Sequence, residues 1–400
     1  MGAPMNILLA GGGTGGHVYP AIALAEAFLR HDPATRLLFV GSRAGMEARL
    51  APAADIPFVG LAVRPPRSLG PVRVVLSAAS LGLSLGQAAA VLARFRPDAV
   101  VATGGMAAVA PVVVGAVFNT PVLVLEGNEI PGRTNRLLAR FGRAVAVSSE
   151  AAAARLPAGR AVVTGLPIRR EVVSGTREEG IRTFGLAPNR RTVLVIGGSQ
   201  GAARLNRAVE EAVVGLAGRR DLQVLHQVGR GWDGALPRGA RTDAFSHGPD
   251  LPARAAGSAP DRSDPRGSGG LGYVRVPYID RVGAAYACAD LVVSRCGANA
   301  LAEITACGLP AILVPYPYAA DDHQTLNAAP LVAAGAARLV RDAALTGATL
   351  TREIESLFES PGRLQAMAAA ARSQGRPDAA DRVVALVVRL ADAATEGVRG

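Results

Sequence analysis

Residues 289–327 read ADLVVSRCGANALAEITACGLPAILVPYPYAADDHQTLN, and this stretch decides the fold. The apolar runs at 291–293 and 311–314 have the length of buried strands. Between them Gly297 and Ala298 open a helix, and Gly308-Leu309-Pro310 closes it with a glycine and then a proline. A glycine at a strand-to-helix turn lets a ligand approach the backbone. The first helical N–H groups and the helix dipole then favour an anion. Glu303, one turn inside the helix, can accept hydrogen bonds from sugar hydroxyls. Asp321-Asp322-His323-Gln324 follows the next strand on a loop directed at the same crevice. The stretch predicts a pocket for a ligand that carries both an anion and a sugar.

Working outward, strand and helix alternate throughout. Residues 6–10 form an apolar strand, followed by GGGTGGH at 11–17, Pro20 and a helix over 21–29. Gly11, Gly13 and Gly16 satisfy G-x-G-x-x-G in the strand-to-helix setting of a nucleotide fold. The next strand, 37–40, ends in Gly41-Ser42-Arg43, so the ribose-binding carboxylate of an NAD site is missing. His17 stands where a dinucleotide loop wants a small residue, which marks it for chemistry. A helix over 46–51, an Arg- and Pro-rich loop (64–73) and an uncharged helical span (74–93) follow. Then come a strand at 98–102 with the turn Thr103-Gly104-Gly105, a helix at 107–118, and a strand at 121–125 leading to Glu126-Gly127-Asn128. Residues 143–148 read as the last strand of this half.

Residues 162–169 end a strand with Gly and Pro and read as a hinge, after which the pattern restarts: strand 192–196, a second glycine turn 197–201, helix 202–217. Two halves that each open with strand, glycine loop and helix predict an α/β protein of two Rossmann-like parallel-sheet domains facing across a cleft. The expected domains are 1–165 and 166–376, with a C-terminal helix at about 377–397 crossing back to the first. Residues 231–272, rich in Gly, Pro, Arg, Asp and Ser, predict a disordered surface insertion. Residues 274–277 resume the sheet, Tyr278-Ile279-Asp280 precedes a short helix, and after Asn327 the chain reads as helical to its end.

Composition narrows the function. Four hundred residues, half of them apolar, suit two domains. The net charge of +11 is carried by arginine alone, since the chain has no lysine. That excludes a P-loop lysine and a lysine Schiff base, and a GC-rich genome accounts for the bias. Positive charge suits nucleic acid, an anionic membrane or phosphorylated substrates. With aromatics at 4% and no basic stripe interleaved with them, nucleic acid is not an expected partner. Cys288, Cys296 and Cys307 fit no metal or disulfide spacing and read as buried thiols in a reducing compartment. A strand begins almost at residue 1 with no leader pattern, so a cytoplasmic location is expected. The span 74–93 is interrupted by Ser77, Ser80, Gly82, Ser84, Gly86 and Gln87, which suits a core or interfacial helix better than a membrane-spanning one.

Several pieces, in order over most of the chain, resemble the MurG family of glycosyltransferase family 28. They are GGGTGGHVYP at 11–20, the Met46-Glu47 pair in 41–47, NEIPGRTN at 128–135, residues 165–169, the glycine turn 197–201 with Asn206, and the stretch 289–327. The resemblance implies the GT-B fold and an inverting hexosyltransferase. Such an enzyme moves GlcNAc from UDP-GlcNAc to the 4-hydroxyl of MurNAc in lipid I, forming lipid II for peptidoglycan synthesis. It also implies peripheral attachment at the cytoplasmic face of the cell membrane, with the anionic inner leaflet as a partner. Arg64, Arg67 and Arg73, flanking the span 74–93, would supply the attraction. No cofactor is implied, and no metal, since no DxD motif stands at a strand end.

On the matching positions, His17 is the candidate general base, or else a ligand of the acceptor diphosphate. UDP-GlcNAc would be held by Thr14, Gly15 and Gly16, and its diphosphate by Ser199 and the helix start Ala298, Asn299 and Ala300. Glu303 would take the ribose, backbone at Ile279 the uracil edge, and Gln324 and Asn128 the sugar hydroxyls, with Arg169 neutralising the leaving diphosphate. Plainer roles stand beside these: a helix-dipole partner for Glu303, a hinge ion pair for Arg169, a turn cap for Asn128. The chain departs from the family with Gly127 where Gln is usual, Leu166 where Asn is common, and a longer insertion. Rival readings are a diacylglycerol glycosyltransferase, a UDP-GlcNAc 2-epimerase, an NADP-dependent oxidoreductase built on residues 11–16 with Ser42-Arg43, and a nucleotide-sugar binding protein without catalysis.

Overall fold

Short apolar runs closed by glycine turns cannot complete a helix and pair as strands, and here they build two all-parallel sheets. The computed structural model describes residues 4–63, 71–198, 202–234, 270–360 and 362–399, with only the backbone for 71–79 and 397–399. The strands are β1 (Asn6–Gly11), β2 (Arg36–Ser42), β3 (Phe58–Leu61), β4 (Ala99–Gly104), β5 (Val122–Glu126), β6 (Ala144–Val147), β7 (Ala161–Val163), β8 (Arg191–Ile196), β9 (Leu222–Gln227), β10 (Gly272–Val276), β11 (Leu291–Ser294), β12 (Ala311–Leu313) and β13 (Ala337–Leu339). The first sheet runs β3-β2-β1-β4-β5-β6-β7 and the second β10-β9-β8-β11-β12-β13. Register is set by buried side chains, as where Ile7 to Ala10 of β1 pair with Leu37 to Val40 of β2.

Two compact units result. The first comprises Met1–Arg170, Gly297–Ala302 and Arg376–Gly400, the second Glu171–Cys296 and Glu303–Gly375. In the first, Ile7 and Leu9 face a core shared with helices Gly15–His31 and Ala379–Arg399, through Val18, Phe28, Val383 and Val387. Leu8 and Ala10 face the opposite core, with Leu92 of helix Pro71–Phe95 and Val112 of helix Val109–Val117. A sheet buried on both faces needs apolar residues at successive positions, which is why β1 does not alternate. Arg30 and Asp381, 3.0 Å apart, pin the last helix at its start. In the second unit, Val193 and Val195 of β8 and Leu291 and Val293 of β11 share a core with helices Ala203–Gly215 and Gly347–Phe358.

Three strands correct the sequence reading, and a fourth, β7, is the strand that residues 162–169 end. β7 extends the first sheet beyond residues 143–148 by pairing with β6, and β3 adds an edge on β2. β9 forms in the middle of the second sheet although it reads LQVLHQ, because Gln223, His226 and Gln227 are buried and hydrogen-bonded. β13 interrupts the expected run of helix after Asn327 by pairing with β12. The described ends of the insertion are anchored: the Trp232 indole N–H donates to Glu210 at 2.8 Å, and β10 begins at Gly272. Residues 235–269, Ser199, Arg64, Arg67 and the side chain of Arg73 lie outside the described residues. Among the described residues, no helix is long and apolar enough to cross a membrane.

Candidate functional site

In a doubly wound sheet, ligands collect where the strand order reverses, because neighbouring loops there turn to opposite faces. In the first unit that point lies between β1 and β4. The loop after β1 carries Gly12, Gly13 and Thr14, and helix Gly15–His31 begins directly behind it. Glu47, fully buried, shapes this loop: its carboxylate accepts the Gly13 N–H at 3.0 Å and the Ser42 N–H at 2.8 Å. A Cβ on Gly12 would sit 2.0 Å from that carboxylate. The Gly13 amide, engaged with Glu47, is withdrawn from any pyrophosphate, and a buried carboxylate beneath the loop would repel one. Both facts count against a dinucleotide site.

His17 projects from the first turn of that helix. Its Nδ1 lies 3.0 Å from the Gly12 carbonyl, an acceptor only, so in the neutral ring Nδ1 carries the proton and Nε2 the lone pair. The ring packs on the turn after β4. A Cβ on Gly104 (φ +111°) would fall 2.9 Å from Cδ2, and one on Gly105 would fall 2.4 Å from the Gly12 carbonyl oxygen. Two glycines here make the slot that fixes the imidazole. The tautomer suits a general base acting through Nε2.

Beside it, the loop after β5 is organised by Glu126. This buried carboxylate accepts the Asn128 N–H (2.8 Å), the Asn128 Nδ2 (3.0 Å), the Gly132 N–H (2.8 Å) and the Asn135 Nδ2 (3.0 Å). Asn128 is thus a turn-former, its amide nitrogen directed at Glu126. Gly127 and Leu166 are in contact: a Cβ on Gly127 would lie 2.9 Å from both Leu166 methyls, so the two departures from the family pattern fit one another. The Arg169 guanidinium lies over the Tyr19 ring, 4.5 Å from its centroid, close behind the glycine loop. Asn299, in a segment that clusters with the first unit, donates through Nδ2 to the Gly15 carbonyl at 3.2 Å. His17, Thr14, Gly15, Gly16, Asn128, Arg169, Ala298, Asn299 and Ala300 all belong to this unit.

The second unit reverses strand order between β8 and β11. The glycine turn after β8 is described through Gly198 (φ +97°), whose carbonyl accepts from Gln227 Nε2 at 3.1 Å; Ser199 follows outside the described residues. Glu303, half-buried on helix Ala298–Ala306, accepts the Tyr286 hydroxyl at 3.0 Å. Gln324 Oε1 accepts the Cys296 N–H at 3.0 Å and the Tyr316 N–H at 2.9 Å, tying the loops after β11 and β12 together. Ile279 is buried between β10 and helix Val282–Cys288, with its backbone at the turn.

Arg295, absent from the sequence reading, braces the same loops. It donates to the Val314 and Pro315 carbonyls and to Asp342 at 2.7 Å. Its place directly after the strand end was the available signal. Asp321 and Asp322 are exposed and adopt left-handed φ of 53° and 49°. Burial pushes the Cys288, Cys296 and Cys307 thiols up to about 12, which disfavours the thiolate. Among the described residues, no group of three or more metal-ligating side chains forms.

Residues 7–147 match the glycosyltransferase family 28 N-terminal domain, and residues 192–246 and 254–383 match the glycosyltransferase family 28 C-terminal domain. A protein of Desulfitobacterium hafniense named UDP-N-acetylglucosamine--N-acetylmuramyl-(pentapeptide) pyrophosphoryl-undecaprenol N-acetylglucosamine transferase is 39% identical over 95% of this chain and 98% of its own. A namesake from Desulforudis audaxviator is 36% identical over 98% of this chain and 100% of its own. The crystal structure of Acinetobacter baumannii MurG superposes with a TM-score of 0.69 at 25% identity, covering 96% of this chain and 100% of that one. Both sheets are GT-B-like, and the similarity runs the full length of the relatives. The chain belongs to the MurG family of glycosyltransferase family 28.

Proposed function

We propose that this chain transfers GlcNAc from UDP-GlcNAc to the 4-hydroxyl of the MurNAc residue in lipid I, giving lipid II. The observation that carries this reading is full-length similarity to transferases of that name, with His17 at the end of the glycine loop. The acceptor oxygen attacks the anomeric carbon from the face opposite UDP. Its proton passes to His17 Nε2, the bond to the β-phosphate oxygen breaks, and UDP departs with the electron pair, which inverts the centre. Arg169, the start of helix Ala298–Ala306 and the glycine turn with Ser199 would balance the charge on the leaving diphosphate. Glu303 and Gln324 would hold the ribose and sugar hydroxyls, the backbone at Ile279 the uracil, and Thr14, Gly15, Gly16 and Asn128 the remaining donor contacts. The tautomer set by the Gly12 carbonyl supports the role given to His17. The test is transfer of radiolabelled GlcNAc to a short-chain lipid I analogue. His17→Ala is expected to lower kcat about a hundredfold or more with UDP affinity retained. A parent that binds UDP-GlcNAc yet never glycosylates the analogue would refute this acceptor and point to diacylglycerol.

The protein works peripherally on the cytoplasmic face of an anionic membrane, since its acceptor is lipid-linked. Support comes from the three arginines at 64, 67 and 73 and from exposed Leu83, Val117 and Phe118 on or beside helix Pro71–Phe95. Each basic residue near an anionic surface contributes about 1 kcal/mol. Replacing all three arginines by serine should weaken flotation with anionic vesicles by roughly two orders of magnitude. Undiminished flotation would remove this patch as the anchor.

A further inference from the structure

Asn135 is buried, at 6% exposure, and its amide orientation is fixed by its partners. Nδ2 donates to the Leu125 carbonyl and to Glu126 Oε2, each at 3.0 Å, and both accept only. The carbonyl Oδ1 therefore points the other way, where it has no hydrogen-bond partner. An orphaned buried acceptor is costly and calls for an explanation.

Oδ1 lies 3.1 Å from the point a Cβ on Gly104 would occupy, and His17 Nε2 lies 3.0 Å from the same point. The two atoms share the bare face of that glycine. With Nδ1–H held by Gly12, the neutral imidazole presents a lone pair at Nε2, an acceptor like Oδ1, and no hydrogen bond joins the two atoms. A proton on Nε2 turns that nitrogen into the donor Oδ1 lacks.

We propose that Asn135 is a positioning residue for His17, its Oδ1 stabilising the imidazolium that forms during transfer. This rests on the reading of His17 as the base. As the acceptor oxygen bonds to the anomeric carbon and UDP leaves, the hydroxyl proton moves to Nε2. The oxygen left behind is a glycosidic ether and accepts poorly, so Nε2–H turns to the Asn135 carbonyl until the proton is released to solvent. The carboxylates of the neighbouring elements are already engaged: Glu47 with the Gly13 and Ser42 amides, Glu126 with Asn128, Gly132 and Asn135. The group that shares the bare face of Gly104 with Nε2 is a neutral carbonyl, which stabilises the cation without holding the proton permanently.

The test is a double-mutant cycle in the full chain with UDP-GlcNAc and the lipid I analogue. Asn135→Ser removes Oδ1 together with the Nδ2 donor to Leu125 and Glu126, so the cycle, not the single variant, isolates the coupling to His17. The serine variant should lower kcat about tenfold, as loss of a hydrogen bond to a charged group does, with both KM values and UDP affinity unchanged. In a His17→Ala background the same substitution should cost nothing further. An equal loss in both backgrounds would overturn the proposal, and so would a raised acceptor KM at unchanged kcat, which would mean that Oδ1 binds the acceptor sugar directly. If His17→Ala keeps full kcat, the base assignment itself fails. If it is inactive while Asn135→Ser matches the parent, only the present inference fails. Asn135→Thr serves as the second variant should the serine variant not fold.

Discussion

Glu47 spends its carboxylate on backbone amides, and that choice governs the loop in front of it. Deleting its charge while keeping its size, as in Glu47→Gln, would turn an NH2 group toward one of two N–H donors, Gly13 or Ser42. A buried donor left facing a donor costs about 1–3 kcal/mol. Chemical denaturation should show a loss of that size, and kcat should fall with it, because the same loop supplies the Gly12 carbonyl that orients His17. Unchanged stability would mean that the loop holds its shape without the carboxylate. His17 is legible in the sequence because it interrupts a glycine run. The organising role of Glu47 is not, since nothing local identifies a carboxylate whose partner is 34 residues away, as Gly13 is from Glu47. Glu126 and Asn135 have partners within ten residues, yet which of them bond depends on how the loop after β5 turns. The role of Glu47 becomes visible only when the chain has closed on itself.

Among elements, legibility followed burial on both faces. β1, β4, β5, β8 and β11 are apolar runs ending at glycine or at a short polar turn, and the sequence places them to within a residue or two. β3 and β13 are too short for a period to declare itself, and what makes them strands is a neighbour already in place: β2 for the first, β12 for the second. β9 was hidden for a chemical reason. Its polar side chains break the apolar run, yet each finds a partner inside: Gln223 with the Ala187 carbonyl and Thr192, Gln227 with Gly198, His226 with Asn206 and Tyr273. Buried polar groups are tolerated when they are bonded, and a sequence does not display the bonding. The switch points follow from strand order, which the repeated strand–glycine–helix pattern already implied.

At the scale of the molecule, two units with separate cores need not lose stability under the same conditions. The second carries an acid-sensitive group at its centre. Asn206 Nδ2 donates to the Val228 carbonyl at 2.7 Å, so its Oδ1 must accept from His226 Nε2–H, and His226 Nδ1 accepts the Tyr273 hydroxyl. The network is satisfied only with His226 neutral. Burial, reinforced by the nearby Arg275 charge, lowers its pKa from 6.5 to about 3. Between those values the unfolded chain holds a proton that the native chain refuses, so acid favours unfolding. This stability is complete above pH 6.5 and is lost as pH falls toward 3, at about 1.4 kcal/mol per pH unit. Trp232 is the single tryptophan of the chain and belongs to this unit, so its fluorescence reports the transition of interest. Urea unfolding followed by that signal should show a midpoint that drops between pH 7.5 and pH 5. In His226→Leu the midpoint should start lower, with Tyr273 and Asn206 orphaned, but change less over the same range. Equal pH dependence in the two proteins would assign the acid sensitivity to groups other than this histidine.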